Sequence, residues 1–158
     1  VMEALAKQCP QGIEIRSLHA LGKEAPKLSA ISNWADFLIF IPREKADQIS
    51  VEKVEAFLGQ DEVLVDRLTK KGKPKVVDIR PGVGSIEWLE EVPADAEGLQ
   101  VRRSDECLLG MRVCLQGDHL TKPEDVLARL FDGEMPAGIQ VVRRRLLPAP
   151  SPRRTVQV

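Results

Sequence analysis

Five basic side chains lie close together in the segment KKGKPKVVDIRPGV, residues 70–83. They are Lys70, Lys71, Lys73, Lys75 and Arg80. Ammonium and guanidinium groups at this density bind phosphates or other anions, but exposed hairpin ends also carry lysine for solubility. Taken by itself, the segment favours a solvated turn over a binding site.

A second basic group, Arg143, Arg144 and Arg145, lies near the end of the chain. Successive side chains of a strand point to opposite faces, so Arg143 and Arg145 are predicted on one face and Arg144 on the other. A strand that buries one face does not normally carry arginine on both. The strand is therefore predicted to lie at the edge of the sheet. Alternatively, one arginine forms an ion pair or takes part in binding.

Together the two groups predict an anion-binding surface, provided that they share one face of the molecule. Such a surface suits an RNA backbone, and arginine can also stack on bases. Aromatic platforms are scarce, because Trp34 and Trp88 are the only large candidates and a core or partner-contact role is expected for each. Backbone binding is therefore predicted rather than sequence-specific reading.

Other site chemistry finds little support in the sequence. Cys107 and Cys114 are seven positions apart and Cys9 is distant, so neither zinc nor an iron–sulfur cluster is predicted. His19 and His119 are isolated and are interpreted as structural. Gly82-Val83-Gly84 resembles a dinucleotide loop, but the third glycine position holds Glu87. No catalytic set, cofactor or metal is predicted, which leaves enzymatic activity an open question.

Length and composition are typical of one soluble domain. The chain has 158 residues, 43% of them hydrophobic and 30% charged. The longest apolar run, FLIFI, is far shorter than the roughly 20 residues that span a bilayer. Three widely spaced cysteines predict free thiols and a cytoplasmic location. The basic groups stand out from an acidic body, since residues 67–80 hold six basic and one acidic side chain.

Apolar patterns and end signals predict the elements that must position these groups. Helices are predicted in residues 1–8, in residues 51–58 after a Ser50 cap, and in residues 123–131, where Thr121 and Glu124 have capping-box spacing. Residues 105–110 and the region around Leu28 and Ile31 are predicted as loop or turn. Strands are predicted in residues 13–21, 35–42, 62–69, 74–81, 84–93, 99–105, 110–117 and 138–148.

Residues 62–69 and 74–81 flank the KKGK turn and together predict a hairpin. With KKGK as a four-residue turn, Arg67 lies opposite Val76, and Val65 lies opposite Asp78. Arg67 and Asp78 are then diagonal neighbours within reach of an ion pair, with Arg80 on the same face. Arg67 and Asp78 are therefore predicted as structural organisers of the hairpin.

Each of the two main helices lies between strands, as in a split β-α-β arrangement. The order predicts an α+β fold with an antiparallel sheet and two to three helices of ferredoxin-like arrangement. Residues 1–147 are predicted as a single domain, and residues 148–158 as a flexible Pro/Arg-rich tail.

Several segments, in their order and spacing along the chain, resemble the bacterial radical-SAM-linked domain of unknown function. They are QGIEIRSLHAL, APKLSAISNWADFLIFIP, KKGKPKVVDIRP, and KPEDVLARLF followed by VVRRRLL. The resemblance covers most of residues 1–147. It implies no assigned activity, a radical SAM partner that is fused or separate, and gene neighbourhoods that point to RNA processing. Family members carry an upstream Ser-His-Leu-Asp motif and an arginine-rich helix, so this chain is expected to be the C-terminal part of a larger domain.

Two functions follow as expectations. The first is a non-catalytic accessory module of a radical SAM protein that binds RNA or another anionic substrate through the two basic groups. The second is a protein-interaction domain that docks on the radical SAM partner and binds no nucleic acid.

Overall fold

A computed structural model describes residues 2–20, 22–25, 27, 32–69, 71–96 and 105–148 of the chain. The helices are α1 (Met2–Ala6), α2 (Arg43–Ala46), α3 (Val51–Leu58) and α4 (Pro123–Leu130). The strands are β1 (Trp34–Pro42), β2 (Leu64–Leu68), β3 (Pro74–Asp78), β4 (Val83–Leu89), β5 (Glu106–Cys114) and β6 (Gln140–Leu147). Short 3-10 turns span Arg80–Gly82, Ala94–Ala96 and Gly117–His119.

Four strands form an antiparallel sheet in the order β4-β5-β1-β6. In chain order these are the second, third, first and fourth strands, with α3 before the second and α4 before the fourth. This is the strand order of a ferredoxin-like fold, so the predicted α+β architecture is confirmed. The separate β2–β3 hairpin is inserted between α3 and β4.

The sheet has apolar side chains on both sides. On the helix side, Ile39 and Ile41 of β1 join a core to which α3 contributes Phe57 and α4 contributes Leu127 and Leu130. On the second side, a smaller cluster contains Leu38, Phe40, Leu108 and Ala96. Because β1 and β5 are buried on both sides, they form nearly continuous apolar runs rather than alternating ones.

Most predicted elements are confirmed where strong end signals occur. Helix α3 begins after Ser50, whose Oγ accepts the Lys53 N–H at 3.2 Å, and it ends before Gly59. The hairpin, β1 and β6 lie where predicted, and β4 confirms the strand predicted in residues 84–93. Arg43 to Ala46 form an additional short helix that was not predicted.

One strand prediction and one loop prediction are wrong. Residues 13–20 do not form a strand, and their side chains are almost all exposed. An alternation of apolar and polar residues favours a strand, but it does not supply a neighbouring strand to pair with. Residues 106–110 belong to β5 and are not a loop, since a strand buried on both sides has no polar alternation. The strand predicted over 99–105 and the turn at Leu28 and Ile31 lie almost entirely outside the described residues.

Thr121 is not a helix cap. Helix α4 begins at Pro123 with Lys122 as its N-cap, and no side chain caps it. Thr121 is fully buried, and its hydroxyl lies 3.1 Å from the carbonyl oxygens of both Ile79 and His119. The capping-box spacing therefore reflects a hydroxyl that joins the segment before α4 to the base of the hairpin.

Candidate nucleic-acid interface

The turn of the β2–β3 hairpin is longer than predicted. Leu68 pairs with Pro74 and Arg67 with Lys75, so five residues rather than four separate the two strands. The Thr69 N–H donates to the Lys73 carbonyl and the Gly72 N–H to the Thr69 carbonyl, each at 2.8 Å. Gly72 has a φ of 72°, which favours glycine. The predicted register is wrong by one residue, because it assumed a four-residue turn.

The end of this hairpin carries the lysines. Lys71, Lys73 and Lys75 are exposed, and within the described residues their ammonium groups make no hydrogen bond or ion pair. Lys70 lies outside the described residues. We call Lys71, Lys73 and Lys75 the lysine tip. Its charges are available to water or to an anionic partner.

Arg67 holds the hairpin against the rest of the domain. Its guanidinium donates to the Asp125 carboxylate, with Nε at 2.9 Å, and to the Leu120 carbonyl at 2.7 Å. The predicted ion pair with Asp78 is wrong, because Asp78 lies opposite Leu64 rather than opposite Val65. Arg67 therefore positions the hairpin by contact with the start of α4.

Asp78 and Arg80 organise the base of the hairpin. Asp78 Oδ1 accepts the backbone N–H groups of Val63 and Arg80 at 2.9 and 3.0 Å. The Arg80 guanidinium donates to the carbonyl oxygens of Leu58 and Val83, the former at 2.6 Å from Nη2. Arg80 thus satisfies the last carbonyl of α3 and joins it to β4. Its predicted anion contact stays a prediction.

The three consecutive arginines of β6 do not alternate as predicted. Asp36 pairs with Arg145 and Phe37 with Arg143, which leaves Arg144 as an extra residue in a bulge. Arg144 and Arg145 therefore both reach Asp95, whereas Arg143 shares the side of Phe37, which packs on the helix side. The strand is at the edge of the sheet, and two of its arginines are paired, so both parts of the expectation hold.

Asp36 lies at the centre of an ion-pair network on the second side of the sheet. Arg112 Nε lies 2.7 Å from its Oδ1, and Arg145 Nε lies 2.8 Å from its Oδ2. Asp95 pairs with Arg144 and, at 3.6 Å, with Arg145. Burial opposes the charge on Asp36, but hydrogen bonds from Arg112 and Arg145 outweigh it and lower the pKa of Asp36. The Arg144 hydrogen bond likewise lowers the pKa of Asp95.

Arg144 and Arg145 do not lie on one surface with the hairpin. Val65 and Val77 of the hairpin pack against the helix-side core. Arg144 and Arg145 lie on the second side and are paired with Asp95 and Asp36. Two of the three arginines therefore do not contribute to a face shared with the hairpin, and the lysine tip is the more available basic surface. Anion binding by these residues stays a prediction.

Sequence reasoning missed Asp36, Asp95 and Arg112. Asp36 gave a usable signal, because a carboxylate inside the apolar run ADFLIFI requires a partner when the strand is buried. Arg112 lies directly opposite it on β5, but the chain separation of 76 residues hides the pairing. The three cysteines are free thiols, Cys9 and Cys107 partly exposed and Cys114 buried.

Neither a metal centre nor a membrane span emerges from the part of the chain that the structure describes. No set of three or more His, Cys, Asp or Glu side chains there is arranged to hold a metal ion. No helix there has the length and apolar character needed to cross a bilayer.

The geometry defines a ferredoxin-like α+β domain with an inserted basic hairpin. The family described as "Uncharacterized protein conserved in bacteria (DUF2344)" matches residues 1–123, and the chain belongs to this family. No curated protein and no solved structure matches the chain. The sheet continues beyond the matched residues, since β6 is its last strand.

Proposed function

We propose that this domain is a non-catalytic accessory module of a radical SAM protein, and that its lysine tip binds the phosphate backbone of RNA or another anionic substrate. The observation that carries the proposal is the contrast between the two basic groups. Lys71, Lys73 and Lys75 have no counter-charge among the described residues, whereas Arg144 and Arg145 are paired with carboxylates. The radical SAM partner rests on the sequence resemblance.

The hairpin suits backbone contact better than base reading. Its strands and turn contain no aromatic residue on which a base can stack. Trp88 packs against the helix-side core, and Trp34 begins β1 at the far end of the sheet from Pro42. A rigid base held by Asp78, Arg80 and Arg67 presents the lysines at a fixed place on the domain. Lysine contacts phosphates as a point charge, which makes binding salt-sensitive and tolerant of sequence.

Changing Lys71, Lys73 and Lys75 to Glu is expected to abolish salt-sensitive RNA binding. The unchanged chain, with Lys70 and the tip contacting about four phosphates of single-stranded RNA, should show a log–log salt slope of about −3 and weaken about 50-fold from 50 to 200 mM salt. Loss of three contacts should reduce the slope to about −1 or remove binding altogether. Fluorescence anisotropy with labelled single-stranded and structured RNA measures both.

The matched control changes three exposed basic residues elsewhere, Lys7, Arg43 and Lys122, to Glu. Their side chains make no hydrogen bond or ion pair within the described residues, and the net charge changes by the same amount. This control should bind RNA almost as the unchanged chain does. Equal loss in both triple variants, or no RNA binding at low salt, would contradict the proposal.

The second candidate is docking on the radical SAM partner, which the outer face of the hairpin favours. Leu64, Leu68 and Val76 are 43%, 76% and 57% exposed, and their register places them on the same face. Grouped aliphatic side chains on a surface are typical of protein contacts. Docking should saturate at a defined stoichiometry with the purified radical SAM protein and weaken after Leu68→Asp, with RNA absent. Unchanged docking after that substitution would exclude this face.

A further inference from the structure

Strand β2 pairs with β3 on one side only. The Ile79 N–H donates to the Val63 carbonyl, and the Thr69 N–H donates to the Lys73 carbonyl. Odd-numbered residues of this strand therefore direct their backbone groups toward β3, and even-numbered residues direct theirs away from it. The second edge of β2 is thus turned outward.

The backbone groups on this outer edge are mostly free. They belong to Leu64, Asp66 and Leu68, and within the described residues only the Leu64 carbonyl has a partner, the Arg129 guanidinium. Asp66 and Leu68 each keep a free N–H and a free carbonyl oxygen. An open edge of this kind can pair with a strand of another chain.

There is room for another strand beside this edge. A groove of about 500 Å³ lies between β2, which contributes Val65 and Asp66, and helix α4 with the turn that follows it, which contribute Asp125, Ala128 and Gly133 among others. The edge is therefore not covered by α4, although the helix lies close enough for Arg129 to reach it.

The hairpin is acidic at its base and basic at its end. Glu62 and Asp66 are exposed, and neither makes a hydrogen bond or an ion pair within the described part of the chain. Lys71 and Lys73 of the lysine tip are also without a partner there. When two such hairpins lie side by side in opposite directions, the base of each is next to the end of the other. Opposite charges then meet at both ends of the contact.

We propose that two copies of this chain associate through their β2 edges, antiparallel and about a two-fold axis, so that the two hairpins form one four-stranded sheet. Pairing centred on Leu68 sets the two Leu68 side chains, each 76% exposed in the single chain, opposite each other. Pairing centred on Asp66 is disfavoured because it sets two carboxylates opposite each other. A two-fold contact is self-complementary and closes as a dimer.

This inference does not rest on RNA binding by the lysine tip. Phosphates would compete with Glu62 and Asp66 of the second copy for the same lysines, so the test is run with neither RNA nor a radical SAM protein present.

Sedimentation equilibrium of the full chain over a series of concentrations tests the proposal. The unchanged chain is expected to form dimers as its concentration rises, and no larger species. Leu68→Pro should remain monomeric, because it removes an N–H that points to the second copy and leaves the hydrogen bonds between β2 and β3 in place. A chain that is monomeric at every concentration, or a Leu68→Pro chain that dimerises equally well, would overturn the proposal.

Charge reversal gives a second arm that a folding defect cannot imitate. Asp66→Lys should weaken dimerisation about tenfold, because like charges then meet at two places in each dimer. Lys71→Glu with Lys73→Glu should weaken it similarly, and all three substitutions together should restore it. Lys7→Glu with Lys122→Glu is the control of equal net charge and should have little effect. A triple variant that dimerises no better than its parents would contradict the proposed contact.

Amide hydrogen exchange followed by NMR locates the contact. The amides of Asp66 and Leu68 should exchange more slowly as the protein concentration rises, whereas those of Val65 and Arg67, which face β3, should not change. Dimers that form without slower exchange at Asp66 and Leu68 would assign the contact to another surface and overturn the proposal.

Discussion

Gly82→Ala is expected to lower the free energy of unfolding by about 3 kcal/mol, at the upper end of the usual overpacking cost. A Cβ at this position would lie 2.1 Å from the His119 carbonyl oxygen and 2.1 Å from Thr121 Oγ1. The first is a backbone atom, and the second belongs to a fully buried side chain. Neither can move without displacing the start of β4 from the segment before α4.

Urea unfolding followed by circular dichroism measures this loss. Gly133→Ala is the matched control, because a Cβ there meets nothing within 4 Å and its backbone conformation does not require glycine. It should unfold within about 0.5 kcal/mol of the unchanged chain. A Gly82→Ala protein as stable as the Gly133→Ala protein would show that the turn and Thr121 are not in close contact. Gly82 therefore serves close packing, and the dinucleotide-loop pattern it suggests is incidental.

Asp36→Ala is expected to lower the free energy of unfolding by about 3 kcal/mol, at the lower end of the range for breaking a buried ion pair. Asp36 is 8% exposed and accepts hydrogen bonds from Arg112 and Arg145. Its removal leaves two like charges on neighbouring strands without a carboxylate between them. The lower end applies because nearly half of each arginine side chain is exposed, at 43% and 45%, so both can be rehydrated.

The pH dependence of stability separates the charge of Asp36 from its shape. The folded-state pKa of Asp36 is lowered, so its contribution is complete above the unfolded value of about 3.9. The contribution is lost as the pH falls through the folded-state pKa. Asp36→Asn keeps the side-chain shape, so the stability difference from the unchanged chain should be constant near neutral pH and shrink in acid. A difference that does not change between pH 7 and acid would exclude the charge as the cause.

Local sequence signals determined most of the fold. Ser50 and Gly59 mark the ends of α3, because a hydroxyl before a helix satisfies a free N–H and glycine favours helix termination. The apolar run FLIFI in β1, residues 37–41, predicts a strand buried on both sides. The order of strands and helices then predicts the ferredoxin-like arrangement, since each helix must cross from one strand to another on one side of the sheet. The exposed lysine tip also follows from sequence.

Only the tertiary structure decided which charged groups are available. The five-residue turn of the hairpin changes the register by one and gives Arg67 to Asp125 instead of Asp78. A bulge at Arg144 places two consecutive arginines on one side of the sheet, where they pair with Asp36 and Asp95. These pairings join residues far apart in the chain, so no local pattern encodes them. Arg80 likewise donates to the carbonyl oxygen of Leu58, which lies 22 residues earlier in the chain, as well as to that of nearby Val83.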